Sequence, residues 1–291
     1  MNGVKFTLFT AGFVLALAFT FSCSGDDGGT DEPSSSSAEN PSVPSSSSIP
    51  GSSGTEPSSS SSTPSSSGTM PSSSSLLSSS SQAIVPVYGE PITDARDGKT
   101  YETVVIGTQT WMAENLNYAV EGSKCYSNSS ANCDKYGRLY NWSTAMVFES
   151  SCNSNYCSSQ IQSPHRGICP SGWHIPSNAD WDKLYRFADG TSGTSSPYDS
   201  PSAGRYLKST SGWNSGGNGT DQYGFSALPG GYGDSDGSFY NVGYNGYWWS
   251  ANEYEDPSSY AYGRYMGYFR DYAYWGNYIK SYLRSVRCVQ D

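Results

Sequence analysis

The chain has 291 residues, of which 35% are hydrophobic and 14% are charged, and its net charge is −10. From Ala83 onward it carries 15 basic and 20 acidic residues without a basic cluster. This excludes nucleic acid as an expected partner, because such binding begins with the neutralisation of phosphates. All 24 Tyr and all 8 Trp lie from Tyr88 onward. The composition therefore indicates an apolar leader, a polar tract and one aromatic-rich domain.

The leader has the pattern of an export signal. Sixteen residues without a charge run from Phe6 to Phe21, which is short for a spanning helix and typical of the apolar region of a secretory signal. A small residue directly before Cys23 fits the cleavage site of a bacterial lipoprotein, although Phe21 departs from the usual small residue. We predict a signal peptide over 1–22 and lipidation of Cys23. The alternative is an ordinary signal peptide with an incidental cysteine.

The polar tract, residues 23–87, is predicted to be a disordered tether. Between Ser24 and Ser81 it contains 28 Ser and 7 Pro. Such a composition buries too little apolar surface to offset the entropy of ordering. The expected arrangement is a lipid-anchored protein of the bacterial outer membrane, which displays a domain over 88–291 at the cell surface.

Six cysteines remain after Cys23, and an even number in an exported chain predicts three disulfides. They are Cys125, Cys133, Cys152, Cys157, Cys169 and Cys288. Fifteen pairings are possible. Short separations favour Cys125–Cys133 and Cys152–Cys157, which leaves Cys169–Cys288, but the sequence does not decide the connectivity. A zinc site is disfavoured because the spacings match no common zinc pattern.

Local patterns predict a hairpin and a helix in the first half of the domain. Residues 103–106 and 109–112 are β-rich and flank a Gly-Thr turn. Ser177 is expected to cap a helix in which Trp181, Leu184, Tyr185 and Ala188 form one buried stripe. Shorter helices are expected over 142–146 and 202–208.

Strands and glycine turns dominate the second half. Residues 225–231 are predicted to form a strand followed by a loop, and 247–251 a central strand. The segments 260–270, 272–279 and 282–289 are predicted to form a three-stranded meander.

Several motifs together carry a family resemblance. In chain order they are DGKTYETVVIG (97–107), WMAENL (111–116), YGRLYNW (136–142), CPSGWHIP (169–176), GFSALPGG (224–231), WWS (248–250) and SVRCV (285–289). The chain resembles the Fibrobacter succinogenes major paralogous domain over about 94–291. That family is similar in pattern to the C-type-lectin-like fold, which the sulfatase-modifying domains share. The resemblance implies an α+β fold in which an irregular antiparallel sheet packs with one or two helices. It also implies a late strand whose cysteine, here Cys288, closes a long disulfide. It implies no established activity.

A calcium site has weak support. Lectins of this fold often hold Ca²⁺ through a Glu-Pro-Asn or Gln-Pro-Asp triplet together with an Asn-Asp pair after a Trp. This chain has neither triplet, and the most similar segment is residues 249–253, which include Asn252 and Glu253. With Glu255 and Asp256 the loop offers three or four oxygens, whereas Ca²⁺ takes six to eight. We expect a polar loop and no metal, with calcium as the alternative.

The aromatic surplus suggests a binding surface. Aromatic faces pack on the C–H faces of sugars, and tyrosine buries area with little rotamer loss. The ligand-binding candidates are Tyr244, Tyr247, Asn252, Glu253, Tyr254, Tyr260 and Trp275, whereas Trp111, Trp142, Trp173 and Trp181 are expected in the core. Catalysis is disfavoured, since no Gly-x-Ser-x-Gly nucleophile motif is present, His174 lies in a motif that looks structural and His165 lies in a loop. The expected function is non-catalytic recognition of a polysaccharide, or adhesion. The alternative is a protein-interaction or structural component of the envelope.

Overall fold

A computed structural model describes residues 84–191 and 199–291. The predicted signal peptide, Cys23 and nearly all of the tether lie outside these ranges. None of the helices within them has both the length and the hydropathy that a membrane crossing requires.

The described ranges contain four α-helices, four short 3₁₀ helices and fifteen strands, many of them very short. The α-helices are α1 (Ser130–Tyr136), α2 (Trp142–Met146), α3 (Asn178–Asp189) and α4 (Ala203–Leu207). The 3₁₀ helices are Tyr126–Asn128, Ser150–Asn153, Ser158–Gln160 and Asn214–Gly216. The strands are β1 (Val87–Tyr88), β2 (Ile92–Thr93), β3 (Thr100–Tyr101), β4 (Thr103–Ile106), β5 (Gln109–Met112), β6 (Leu139–Tyr140), β7 (Trp173–His174), β8 (Asp199–Ser200), β9 (Gly230–Gly233), β10 (Phe239–Val242), β11 (Asn245–Glu253), β12 (Tyr260–Gly267), β13 (Ala273–Ile279), β14 (Arg284–Ser285) and β15 (Val289–Gln290). The fold is therefore mixed α+β, as predicted.

The strands form two main sheets and one small one. The five-stranded sheet has the order β1-β4-β5-β15-β7, and the path of the eight-stranded sheet is β10-β9-β11-β12-β13-β8. β14 joins the larger sheet by pairing with both β11 and β6, and β2 pairs with β3 alone. Most pairs are antiparallel, whereas β11 meets β9 and β14 in parallel.

The predicted hairpin and the predicted long helix are confirmed. β4 and β5 have the expected bounds and pair in antiparallel register. α3 begins after Ser177, whose side chain accepts a hydrogen bond from the backbone N–H of Asp180, while the Asp180 carboxylate accepts one from the Ser177 backbone. This reciprocal capping satisfies two amides that the first turn leaves without a partner. The apolar stripe of α3 is buried, and the helix packs against β4, β11 and α4.

Two hydrophobic clusters make up most of the core. One surrounds Trp111, Trp181 and Trp248 between α3 and the sheets. The other surrounds Trp142 and Trp249 and includes four of the cysteines. The four tryptophans that the sequence assigned to the core, Trp111, Trp142, Trp173 and Trp181, are all buried.

Three disulfides join the six cysteines in the pairing that short separations favoured. Cys125–Cys133 and Cys152–Cys157 close local loops, whereas Cys169–Cys288 joins residues 119 positions apart. The long bridge fixes the segment after β14 to the segment before β7.

The prediction for 282–289 is wrong. This segment is not the third strand of a meander, because β14 lies in the larger sheet and β15 in the five-stranded sheet. Every residue from Leu283 to Val289 is buried, so the alternation of buried and exposed positions that marks a half-buried strand is missing. The segment crosses the core from one sheet to the other.

The order predicted for 225–231 is also wrong, because β9 starts only at Gly230. Gly224 and Ser226 both have positive φ, which breaks an extended strand. The carbonyls of Phe225 and Ser226 accept hydrogen bonds from the side chain of Arg287 instead of a strand partner.

Candidate functional site

The family motifs meet at one buried side chain, Asn115. Its Oδ1 accepts hydrogen bonds from Trp248 Nε1 at 2.8 Å and from Arg287 Nε and Nη2 at 3.0 and 2.8 Å. Its Nδ2 donates to the carbonyl of Tyr136 at 2.8 Å. Arg287 completes the group by donating to the Phe225 carbonyl. Five motif segments are thus joined by hydrogen bonds, which gives Asn115 and Arg287 a structural role.

Arg287 belongs to a set of five cations in the interior: Lys208, Arg264, Lys280, Arg284 and Arg287. Burial lowers the pKa of Arg287 to about 9, against the opposing charges of Asp221 and Glu114. Backbone carbonyls accept hydrogen bonds from several of these cations. Lys208 Nζ, for example, donates to the carbonyls of Gly267 and Arg270. Sequence reasoning missed these residues, because nothing in the local sequence distinguishes a buried basic residue in a strand from an exposed one.

His174 is held between two carboxylates. Its Nδ1 lies 2.8 Å from Asp291 Oδ1 and its Nε2 lies 3.4 Å from Asp180 Oδ2. Burial disfavours the charged imidazole, but the two hydrogen bonds outweigh it and raise the pKa of His174. The Asp180 carboxylate is also partly desolvated, yet hydrogen bonds from His174 and Ser177 lower its pKa to about 2. The trio ties β7, α3 and the end of β15 together.

These residues line a cavity of about 610 Å³ that also contains His165. His165 Nε2 lies 2.9 Å from the Met146 carbonyl, and its Nδ1 accepts from the backbone of Gln162 at 3.2 Å. Both ring nitrogens of His165 therefore have partners within the protein, as do both ring nitrogens of His174. Within residues 84–191 and 199–291, no group of three or more His, Cys, Asp or Glu side chains is placed to hold a metal ion.

Asn252 and Glu253, predicted as ligand residues, are engaged by the protein itself. Asn252 Oδ1 accepts from the backbone N–H of Asn178 at 2.7 Å. The Glu253 carboxylate is only 3% exposed, forms an ion pair with Lys280 and accepts a hydrogen bond from the Cys157 amide. Both side chains thus anchor their loop to the domain, and their oxygens are occupied.

A second cavity, of about 560 Å³, lies beside the Asn115 group and is lined by Glu102 and Glu114. Glu114 reaches solvent at its rim, and partial desolvation raises the pKa of its carboxyl, with Arg287 opposing and Glu102 adding to the shift. Two carboxylates near one cavity are the minimum that hydrolysis of a glycosidic bond requires.

The most extended aromatic surface is a row of six tyrosines on one face of the larger sheet, which we call the tyrosine row. Its members, in spatial order, are Tyr282, Tyr232, Tyr247, Tyr265, Tyr274 and Tyr272. At its centre Tyr247, Tyr265 and Tyr274 are direct cross-strand neighbours on β11, β12 and β13. Their successive ring centroids lie 5.3 and 5.5 Å apart, with interplanar angles of 26° and 27°. All six rings are partly exposed.

Glycines of β12 lie close beside the ring of Tyr265 and beside that of Tyr278, a neighbour of the row. A Cβ added at Gly267 would come within 2.6 Å of the Tyr265 hydroxyl, and one at Gly263 within 2.9 Å of the Tyr278 ring. The glycines therefore make room for the rings to lie across the backbone. Near-parallel rings at these separations are offset-stacked. The Tyr247 hydroxyl also accepts hydrogen bonds from Asn241 Nδ2 and Asn245 Nδ2, at 3.2 and 3.0 Å.

The structure separates the aromatic candidates that the sequence grouped. Tyr247 lies in the row. Tyr254 and Trp275 both pack on Tyr262, with centroids 5.2 Å from it, on the opposite face of the sheet. Tyr244 is 44% exposed and packs against Tyr268, while Tyr260 pairs with Ile279 at the far end of β12. These candidates do not converge on one site.

Sequence reasoning missed most of the row, namely Tyr232, Tyr265, Tyr272, Tyr274 and Tyr282. The alternation along β12 already places Tyr265 on a face with Gly263 and Gly267. What the sequence lacks is the register, which alone aligns Tyr247, Tyr265 and Tyr274 across three strands.

Comparison with known proteins gives one match. The sequence model of the Fibrobacter succinogenes major domain matches residues 104–290. No curated protein and no solved structure matches the chain. The matched region contains the larger sheet, the five-stranded sheet apart from β1 and the first residue of β4, α1 to α4 and the whole Asn115 group, and it covers more than half of the chain. The chain therefore belongs to the Fibrobacter succinogenes major domain family.

Proposed function

We propose that this protein is a non-catalytic recognition protein that binds polysaccharide through the tyrosine row. The observation that carries the proposal is the continuity of the row: partly exposed tyrosines follow one another across four strands of a single sheet. Tyrosine combines an apolar ring with a polar hydroxyl, so one residue type offers both contacts that a sugar ring needs. Two of its ring pairs are fixed by strand register, which limits the entropy lost on binding.

The proposal includes display at the cell surface. Lipidation at Cys23 and a flexible tether over 23–87 would hold the domain away from the outer membrane within reach of a polymer. Three disulfides are expected of a domain that works in an oxidising compartment. The C-type-lectin-like architecture that the resemblance implies is part of the same proposal, supported by the long bridge to Cys288.

No metal is part of the proposal, because the Asn252 and Glu253 oxygens that would bind calcium already accept hydrogen bonds from protein groups. Retention on glycan should therefore be the same with EDTA and with added calcium. A loss of retention in EDTA would contradict this part of the proposal and would indicate a calcium site in the loop over 249–256.

The competing function is a protein-interaction or structural role in the envelope, which tyrosine-rich surfaces also serve. That role predicts a crosslinked partner in intact cells and indifference to sugars. A hydrolase is a third possibility, and it would require Glu114 in the cavity it shares with Glu102. Release of reducing ends that disappears in Glu114→Gln would establish a hydrolase and overturn the non-catalytic proposal.

The direct test is retention of the full chain on insoluble cellulose, xylan and pectin, followed by a glycan array. Tyr265→Ala removes the central ring, so we expect retention to fall at least about tenfold, as truncated aromatic anchors do at binding surfaces. Tyr156→Ala is the matched control, because Tyr156 is exposed but lies in a loop outside the row. Equal retention of both variants, or no retention of the wild-type chain on any glycan, would contradict the proposal.

A further inference from the structure

We infer that the polysaccharide bound at the tyrosine row is acidic, with carboxylate groups on its sugars, an inference that rests on the glycan binding proposed above. Two arginines, one buried and one exposed, flank the central rings. They place two positive charges beside the central rings within a domain that is acidic as a whole.

Arg284 lies beneath the first half of the row. Its guanidinium carbon is 3.7 Å from the ring centroid of Tyr278, 4.7 Å from that of Tyr247 and 5.8 Å from that of Tyr232. It is 3% exposed, and its Nε and Nη1 have no hydrogen-bond partner. Among the described residues no carboxylate forms an ion pair with it. The charge is thus stabilised by aromatic rings and is not neutralised.

A ligand on the outer side of these rings would feel that charge through protein and not through water. The effective dielectric constant is lower along such a path, and mobile ions are excluded from it, so the attraction is screened less than between two surface charges. An anionic group placed over Tyr247 would provide the counter-charge that the interior does not.

Arg270 supplies a second positive charge at the other end of the row. Its guanidinium carbon lies 5.4 Å from the ring centroid of Phe269 and 5.7 Å from that of Tyr272. It is exposed, and its charge acts on Tyr265, where it opposes the upward pKa shift that burial and the neighbouring tyrosines cause. A carboxylate on a sugar over Tyr265 could pair with Arg270 directly.

Acidic residues also border this face. Asp234 acts on both Tyr232 and Tyr282. Asp199 on β8 is the backbone partner of Tyr274, and Asp271 follows Arg270 in the chain. The charged sugars should therefore sit over Tyr247 and Tyr265, between the two arginines. Elsewhere the acidic surface would repel a polyanion, which confines binding to this face.

The experiment compares two forms of one polymer. Polygalacturonate carries a carboxylate on each sugar, and its fully methyl-esterified form has the same backbone without the charge. Affinity electrophoresis of the full-length chain should show tighter binding to the acid than to the ester, with the difference shrinking at high salt. Alginate, a second uronate polymer from another source, should also bind more tightly than the methyl ester if the carboxylate is what is recognised. Binding to alginate that is no tighter than binding to the ester would assign recognition to the galacturonan backbone and overturn the inference.

Two surface variants separate the charge from the fold. Arg270→Gln should weaken binding to polygalacturonate roughly threefold to fivefold, the scale of one exposed ion pair, and leave binding to the ester unchanged. Arg186→Gln is the matched control, because it removes an exposed arginine from α3, outside the row.

The outcomes are distinguishable. Equal binding of acid and ester with loss of both in Tyr265→Ala would overturn the inference and leave glycan recognition intact. Equal effects of Arg270→Gln and Arg186→Gln would also overturn it. Failure to bind any of the polymers would remove the proposed function and the inference together.

Discussion

Asn115 offers the sharpest test of how the fold is held together. Asn115→Ala leaves the Trp248 indole N–H, the Arg287 Nε–H and the Tyr136 carbonyl without their buried partner. Each buried polar group that loses its partner costs about 1–3 kcal/mol, and a charged one costs more. We therefore expect Asn115→Ala to lower the free energy of unfolding by about 5 kcal/mol, a large part of the 5–15 kcal/mol typical of a domain.

Asn115→Asp separates the acceptor from the donor. Aspartate keeps an oxygen for Trp248 and Arg287 and adds a counter-charge to the guanidinium, but it loses the hydrogen bond donated to Tyr136. We expect a loss of about 1–2 kcal/mol, well below that of the alanine variant.

The assay is urea unfolding with the disulfides intact, followed by circular dichroism and tryptophan fluorescence. Asn277→Ala, at an exposed position of β13, controls for removal of an asparagine from the sheet region and should cost under about 0.5 kcal/mol. The reasoning fails if Asn115→Ala costs under about 1 kcal/mol or no more than the control. It also fails if the aspartate variant is as unstable as the alanine variant.

Three further predictions concern charge and crosslinks. The carboxylates raise the pKa of His174 in the folded chain above its unfolded value of 6.5. The charged His174 therefore stabilises the fold fully below pH 6.5, and this stabilisation is lost as the pH rises through the pKa of the folded state. In thermal unfolding, the melting temperature of the wild-type chain should fall over this pH range, whereas that of His174→Gln should not show this fall. Removing the long bridge with Cys169→Ala and Cys288→Ala should cost about 3–5 kcal/mol in urea unfolding, and a cost below that of removing a local bridge would contradict this. Glu253→Gln leaves the buried Lys280 charge unpaired and should lower the free energy of unfolding by about 3–5 kcal/mol. Adding Lys280→Met to this variant should recover part of that loss. If the double variant loses as much stability as the two single variants added together, the pair is not coupled.

Local features of the fold could be predicted from the sequence because the interactions that make them are local. The cap at Ser177 and the apolar stripe from Trp181 to Ala188 specify α3 within one segment. The turn at Gly107 likewise specifies the β4–β5 hairpin, since Gly107 has a φ of +63° there. For such elements, propensity, capping and periodicity point to the same structure.

The segment over 282–289 shows where this reasoning stops. Its Tyr, Leu, Val and Arg residues resemble a strand, but its backbone pairs with β11 and β6 at one end and with β5 and β7 at the other. Three of these four partner strands lie more than 100 positions away in the chain. No local pattern contains that information.

The sequence indicated the type of candidate site, an aromatic surface, but not which residues form it. The surplus of tyrosine indicated an aromatic surface, and Tyr247 belongs to it. The other predicted aromatics lie elsewhere because register and face, not composition, decide which rings meet. The five buried cations were equally hidden, since Arg284 and Arg287 differ from exposed arginines only in what folds around them.

The position of β15 has a consequence for the order in which the chain can assemble. Residues 289–290 lie between β5, formed by 109–112, and β7, formed by 173–174. A chain synthesised from its amino terminus therefore completes both flanking strands long before the strand that separates them. Until that strand is made, β5 and β7 each have an open edge, which is a template for pairing with another molecule. Association of incomplete chains through these edges therefore competes with folding until the last residues are added.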